Sequence, residues 1–72
     1  MTYEDIVSLL GYAGGHEHLV RITMTDLTEV VGIPMSVDTN RDANEVYLRP
    51  AGNDETEIAV SLGAIRAVEL VS

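Results

Sequence analysis

Residues 18–37 read HLVRITMTDLTEVVGIPMSV, and this stretch decides the fold. Val20, Ile22 and Met24 alternate with polar residues, and a period of two predicts a β-strand with one buried and one exposed face. A short turn separates this strand from a second alternating run at residues 28–37. The stretch therefore predicts two consecutive β-strands.

The second of these strands is expected to bend. Gly32 in mid-strand indicates a sharp bend or bulge, and Pro34 donates no ladder hydrogen bond, which predicts that part of this strand is exposed along one edge. Both residues fall on one face of the strand. The opposite face carries apolar residues, of which Val31 and Ile33 are expected in the core: Val31, Ile33, Met35 and Val37.

One helix precedes the strands, within residues 2–13. Thr2 is expected to be its N-cap, with Asp5 completing a short capping box, and Gly14 and Gly15 are expected to end it. Its apolar residues recur at helical spacing and form one stripe that can pack against a sheet. The members of this stripe are Tyr3, Ile6, Val7, Leu10 and Ala13.

After a polar loop at residues 38–44, further alternating runs predict strands at residues 45–49, 55–62 and 66–71, with a tight turn at 63–65. The sequence therefore predicts a mainly β fold in a single domain, residues 1–72: an N-terminal α-helix followed by a five-stranded, strongly bent antiparallel sheet that forms a small barrel. The expected core comprises Ile6, Leu10, Val20, Ile22, Val31, Ile33, Val46, Leu48, Ile58, Val60, Ile65 and Val68.

Short motifs in this outline resemble the signatures of the Sm-like family. Gly32, followed by Val37 and Asp38, is similar to the first signature, in which a bent second strand leads to an acidic loop residue. Asn44 corresponds to the loop asparagine of that signature, two residues further along than in the family. This resemblance implies an Sm-like barrel.

The second Sm-like signature is similar to Leu62, Gly63 and Ile65, with Leu62 in place of an arginine that helps form the family's base-binding pocket. The helix and strand order also resemble the Rho-binding antiterminator family, a helix on a partly open Sm-type barrel. The similar positions there lie at residues 18–19, 45–48 and 55–58. Both resemblances bear mainly on the fold, because many small barrels share this outline.

The composition is strongly acidic. Twelve acidic residues face four arginines and no lysine, so the net charge is −8. Such a surface repels phosphate, which disfavours nucleic acid and anionic membranes and favours a basic protein partner. The acid excess also serves solubility or reflects a high-salt or GC-rich source, and the sequence leaves these alternatives open. The residues expected to lead contact with a partner are Glu4, Asp5, Asp54, Glu55 and Glu57.

Two short clusters carry potential metal ligands. His16 and His18 would point to one side of an extended segment, but a zinc or nickel site needs further ligands. A second cluster places oxygen ligands at alternate positions, as in a calcium loop, but the glycine and the bidentate glutamate of that loop are absent. Its members are Asp38, Asn40, Asp42 and Asn44. We therefore expect no metal site and no other cofactor.

The sequence favours binding over catalysis. Without cysteine or lysine, and with no serine in a nucleophile context, the chain offers little catalytic chemistry, and we expect no enzyme. The lack of cysteine, of a long apolar run and of a secretory leader predicts a cytoplasmic protein. We expect a non-catalytic binding module or small regulator. The alternative is a self-assembling Sm-like structural subunit, with single-stranded RNA as a ligand.

Overall fold

The chain folds as one helix followed by five antiparallel strands, in a computed structural model that describes residues 1–53 and 55–71. Helix α1 spans Tyr3–Gly15, and one turn of 3₁₀ helix spans Leu62–Ala64. The strands are β1 Val20–Met24, β2 Glu29–Asp38, β3 Glu45–Pro50, β4 Ile58–Ser61 and β5 Ile65–Leu70. The predicted mainly β architecture with an N-terminal helix is confirmed.

The five strands form one antiparallel sheet in the order β4-β3-β2-β1-β5, so β4 and β5 are its two edges. In a flat sheet these edges would lie about 19 Å apart, at a strand spacing of about 4.8 Å. The 3₁₀ turn Leu62–Ala64 alone joins them, and three residues of 3₁₀ helix rise only about 6 Å. The sheet is therefore strongly curled. It is also open, because no ladder joins β4 to β5 in the described residues.

Helix α1 begins as the sequence predicts. The side-chain oxygen of Thr2 accepts a hydrogen bond from the backbone N–H of Asp5 at 3.1 Å, which satisfies one of the free donors of the first turn. The helix does not end at Ala13 but continues through Gly14 and Gly15. It ends at the C-cap His16, after which Glu17 adopts a left-handed conformation with φ 52°.

The core lies between α1 and the concave face of the sheet. Alternation correctly assigns the inward residues of β1 and β3, and helical spacing correctly assigns Ile6, Leu10 and Ala13 to the core. Tyr3, predicted in the same stripe, is instead 44% exposed at the start of the helix. In β5 the buried residues Ile65 and Val68 are three residues apart, because the ladder with β1 shifts its register, and Ile65 begins the strand instead of belonging to the turn. The buried apolar residues are Ile6, Leu10, Ala13, Val20, Ile22, Val46, Leu48, Val60, Leu62, Ile65 and Val68.

The prediction of which face of β2 points into the core is wrong. Val31 and Ile33 are only half-buried and Met35 is 49% exposed, whereas Gly32 and Pro34 are buried. The reason is steric, because the smallest residues lie where backbones approach most closely. A Cβ at Gly32 would lie 2.7 Å from the carbonyl oxygen of Arg49 in β3, inside van der Waals contact.

Pro34 lies under the helix rather than at an exposed edge. Gly14 packs against it so closely that a Cβ on Gly14 would lie 3.2 Å from the Pro34 carbonyl oxygen. β2 is a central strand, and a bulge between Pro34 and Ser36 accommodates the missing N–H of the proline. The extra residue shifts the alternation, and Val37 then packs against the core.

The fourth strand is shorter than predicted. It begins at Ile58 rather than at residue 55, so Glu55 and Glu57 precede the strand instead of sharing one of its faces. Ile58 is 37% exposed, contrary to the prediction that it belongs to the core. Its position explains this exposure, because it is the first residue of an edge strand.

Two isoleucines in strands provide a matched test of this core. Ile22 is fully buried in β1 and Ile58 is 37% exposed in β4. We expect Ile22→Ala to lower the free energy of unfolding by about 2 to 4 kcal/mol, because it leaves a cavity, and Ile58→Ala to lower it by less than about 1 kcal/mol. Urea denaturation of both variants measures the difference, and equal losses would refute the assigned core.

Two glycines test the close approach of β2 to β3. Gly32→Ala should destabilise the protein, because its Cβ would overlap the Arg49 carbonyl. Gly11→Ala should stabilise it by up to about 1 kcal/mol, because Gly11 lies in α1 with no atom near its Cβ position. Thermal unfolding should move in opposite directions for these variants. A neutral Gly32→Ala variant would contradict the described packing.

Candidate functional site

The acidic residues of the helix lie at its start. Glu4 and Asp5 are exposed in the first turn of α1, where the helix dipole favours negative charge. Their neighbour Tyr3 donates a hydrogen bond from its hydroxyl to Oδ1 of Asn44 at 2.6 Å. Asn44 directly precedes β3, so this bond positions the acidic turn of the helix beside the beginning of that strand.

The other predicted partner-binding acids lie towards the opposite end of β3. Glu55 and Glu57 are exposed in the connection that follows Pro50, and Asp54 lies outside the described residues. Because β3 spans six residues, its ends are separated by about 17 Å at about 3.4 Å per residue. The structure therefore places these acids and those of the helix at two separate positions.

Further acidic residues lie on the convex face of the sheet, at the start of β3. Asp38 in β2 lies directly opposite Glu45 in β3, and Tyr47 donates a hydrogen bond from its hydroxyl to Oε1 of Glu45 at 3.2 Å. This hydrogen bond and the charge of Glu45 raise the pKa of Tyr47 above its ordinary value, and the charges of Asp38 and Glu57 add to the effect. We call Asp38, Glu45, Tyr47 and Glu57 the acidic outer face.

Sequence reasoning did not identify this surface. Alternation in β3 could have placed Glu45 and Tyr47 on one face, because they are two residues apart. The position of Asp38 opposite Glu45 depends on the register of β2 and β3. That register follows the bulge between Pro34 and Ser36, which the sequence pattern alone does not locate.

The arginines are distributed over different elements. Arg21 of β1 forms an ion pair with Glu69 of β5, with Nη1 2.5 Å from Oε1. That hydrogen bond and the charge of Glu69 raise the pKa of Arg21. Arg41 lies in the loop after β2, Arg49 in β3 and Arg66 in β5.

A shallow groove of about 310 Å³ lies beside this ion pair, between β1 and β5. Its lining residues are Arg21, Thr23, Ala67, Val68 and Glu69. Because Glu69 already neutralises Arg21, the groove has no strong preference for an anion. It is also exposed, and surface ion pairs of this kind contribute little to stability.

The two histidines do not lie in an extended segment as predicted. His16 caps the helix and its ring contacts that of Tyr12, with centroids 4.3 Å apart. The left-handed Glu17 turns the chain between the histidines, and Nδ1 of His18 donates to the carbonyl oxygen of Leu19 at 2.9 Å. In the described part of the chain, no three His, Asp or Glu residues are grouped to hold a metal.

The polar loop after β2 makes hydrogen bonds to its own backbone. Oδ1 of Asp38 accepts from the N–H of Asn40 at 3.0 Å, and the Asn40 carbonyl accepts from the N–H of Asn44 at 2.7 Å. The loop that contains Asp38, Asn40 and Asp42 is therefore held by hydrogen bonds typical of turns. Asn44 has φ 48°, and its carbonyl accepts from the N–H of Leu62 at 2.9 Å. Asn44 therefore joins the helix, the loop and the 3₁₀ turn.

Comparison with known proteins assigns no family to this chain. No model of a known protein family matches it, and a search of curated proteins finds no match either. No helix in residues 1–53 or 55–71 is long and apolar enough to cross a membrane.

The hydrogen bond between Tyr47 and Glu45 predicts a pH effect. Folding raises the pKa of Tyr47, so its neutral hydroxyl stabilises the folded protein. This contribution to the free energy of unfolding is fully present below the unfolded pKa, about 10, and is lost as pH rises through the folded pKa. Glu45→Gln should lower the pKa of Tyr47, whereas Glu69→Gln should leave it unchanged. Titration of the Tyr47 ring signals by NMR measures both. An unchanged pKa in Glu45→Gln would refute the described contact.

Proposed function

We propose that this domain is a non-catalytic binding module whose acidic surface engages a basic region of a partner protein. The observation that carries the proposal is the cross-strand pair of Asp38 and Glu45 on the convex face. Like charges directly opposite one another destabilise a sheet. A cationic side chain of a partner would relieve this repulsion.

The electrostatics around Tyr47 support the same proposal. Three carboxylates raise its pKa, so the outer face has a negative potential around the hydroxyl. Glu4 and Asp5 extend this negative region, since Tyr3 contacts Asn44 immediately before Glu45. Exposed charges at the border of an interface mainly accelerate association and make it dependent on salt.

We also propose that the curled sheet is a small Sm-like barrel that remains partly open. The short connection between its edges and the close approach of Gly32 to β3 support this interpretation. An Sm-like subunit that assembles with copies of itself is the second candidate, because β4 and β5 both offer unpaired edges in the described residues. RNA as a ligand has less support, since Leu62 is 1% exposed within the core where the Sm-like family has an arginine.

Charge reversal at the start of the helix tests the proposed function. We expect Glu4→Lys with Asp5→Lys to slow association with a synthetic decalysine peptide several-fold and to weaken the salt dependence, because the attraction is lost. The fold should persist, since both side chains are exposed. Stopped-flow fluorescence at low and moderate salt measures the rates.

The matched control is Glu17→Lys with Glu29→Lys, which changes the net charge equally at other exposed positions. A similar loss of rate in the control would show that only net charge matters and would contradict a localised surface. Binding of the native protein to a single-stranded decauridylate provides the second comparison. Micromolar affinity for that RNA would contradict the proposal in favour of a nucleic-acid ligand.

A further inference from the structure

The free edge of β4 exposes backbone groups that nothing in the described chain pairs with. The N–H of Leu62 donates to the carbonyl of Asn44, so the adjoining pair of Ser61 and Glu45 is a non-hydrogen-bonded pair of the antiparallel ladder. Alternation then makes Ala59 a second such position, opposite Tyr47. The N–H and C=O groups of Ala59 and the N–H of Ser61 therefore point away from β3, towards solvent, whereas the Ser61 carbonyl is the N-cap of the 3₁₀ turn and accepts its first hydrogen bond.

The free edge of β5 differs, because it is partly covered. The N–H of Val71 donates to the carbonyl of Leu19, and the same alternation directs the N–H of Val68 outward. The thioether sulfur of Met1 accepts a hydrogen bond from this N–H at 3.2 Å. Among the described residues, no such contact covers the N–H and C=O of Ala59 or the N–H of Ser61. Of the two edges, β4 is the more available for pairing.

Short side chains and acidic residues surround the β4 edge. On the convex face Ala59 lies opposite Tyr47 and Ser61 opposite Glu45, so little bulk separates the free edge from the acidic outer face. Glu57 directly precedes the strand, and Ile58 is 37% exposed at its start. Residues 50–65 contain no lysine or arginine. A long cationic side chain beside β4 could therefore extend over Ala59 or Ser61 towards the carboxylates.

We propose that an extended basic segment of a partner protein adds to the free edge of β4 as a further strand. Its backbone pairs with both polar groups of Ala59 and with the N–H of Ser61, and lysine or arginine side chains at alternate positions extend towards Glu45 and Glu57. Strand addition of this kind obtains affinity from main-chain hydrogen bonds and specificity from alternate side chains. The inference rests on the proposed function and specifies where and how the basic partner binds.

Charge favours a basic segment over a second copy of this chain as the occupant. Two copies would each have a net charge of −8, and their mutual repulsion opposes association. Pairing of β4 with β5 of another copy would also displace Met1 from the N–H of Val68. A basic segment paired with β4 would be attracted by the negative charge of the domain and would leave Met1 in place.

The test uses a proline at each edge and one synthetic peptide. Ala59→Pro removes an N–H that points to solvent, so the fold should tolerate it, and Leu70→Pro makes the same change at the β5 edge. The probe is the capped peptide VKVKVK, labelled for fluorescence anisotropy. We expect Ala59→Pro to weaken binding at least about tenfold and Leu70→Pro to change it less than about twofold.

A second measurement needs no variant. The same peptide, methylated at every backbone nitrogen, keeps its charge but has no main-chain donors, and we expect the native protein to bind it at least about tenfold more weakly. Circular dichroism of each proline variant establishes that it is folded. If Ala59→Pro fails to fold, the methylated peptide decides the question.

The remaining outcomes separate this inference from the proposed function. Salt-dependent binding of both peptides that Ala59→Pro does not weaken would refute strand addition and leave the acidic surface as the binding site. Absence of binding by both VKVKVK and decalysine would refute both proposals. A native dimer in sedimentation that Ala59→Pro dissociates would assign the β4 edge to a second copy and refute the inference.

Discussion

The structure depends on the close approach of three backbone segments: the end of α1 at Gly14, β2 at Gly32 and Pro34, and β3 at Arg49. A Cβ at Gly32 would overlap the carbonyl of Arg49, and a Cβ at Gly14 would press on the carbonyl of Pro34. The lack of side chains at these glycines lets β2 pack closely against β3 and lets the end of α1 pack on β2. The sheet curls around the core, so that the three residues Leu62–Ala64 connect its edge strands β4 and β5.

The same constraint explains what could be predicted from the sequence. Alternation and capping correctly predicted the N-cap Thr2 and the inward faces of β1 and β3, because those elements obey their periods without interruption. The face of β2 was predicted wrongly. Binary patterning places the largest apolar residues inside, whereas close backbone contact here requires Gly32 and Pro34 inside. The bulge after Pro34 then changes the register in a way that no periodicity shows.

The candidate site was predicted only in part, for a related reason. The exposed acids Glu4, Asp5, Glu55 and Glu57 follow from composition and from their polar context. The juxtaposition of Asp38, Glu45 and Tyr47 needs the cross-strand register, and the junction at Asn44 needs tertiary contacts. The sequence therefore indicates an excess of exposed acids, and the strand register determines that Asp38, Glu45 and Tyr47 lie close to β4, an edge strand of the described sheet.

Hydrogen exchange at β4 is the most direct test of a basic segment binding at this edge. In the free protein the amide protons of Ala59 and Ser61 should exchange rapidly, whereas that of Val60, which is directed towards β3, should be protected. Addition of the VKVKVK peptide should slow exchange at Ala59 and Ser61 and leave the edge residue Leu70 unchanged. Binding without new protection at Ala59 and Ser61, or with protection confined to helix α1, would contradict strand addition at β4.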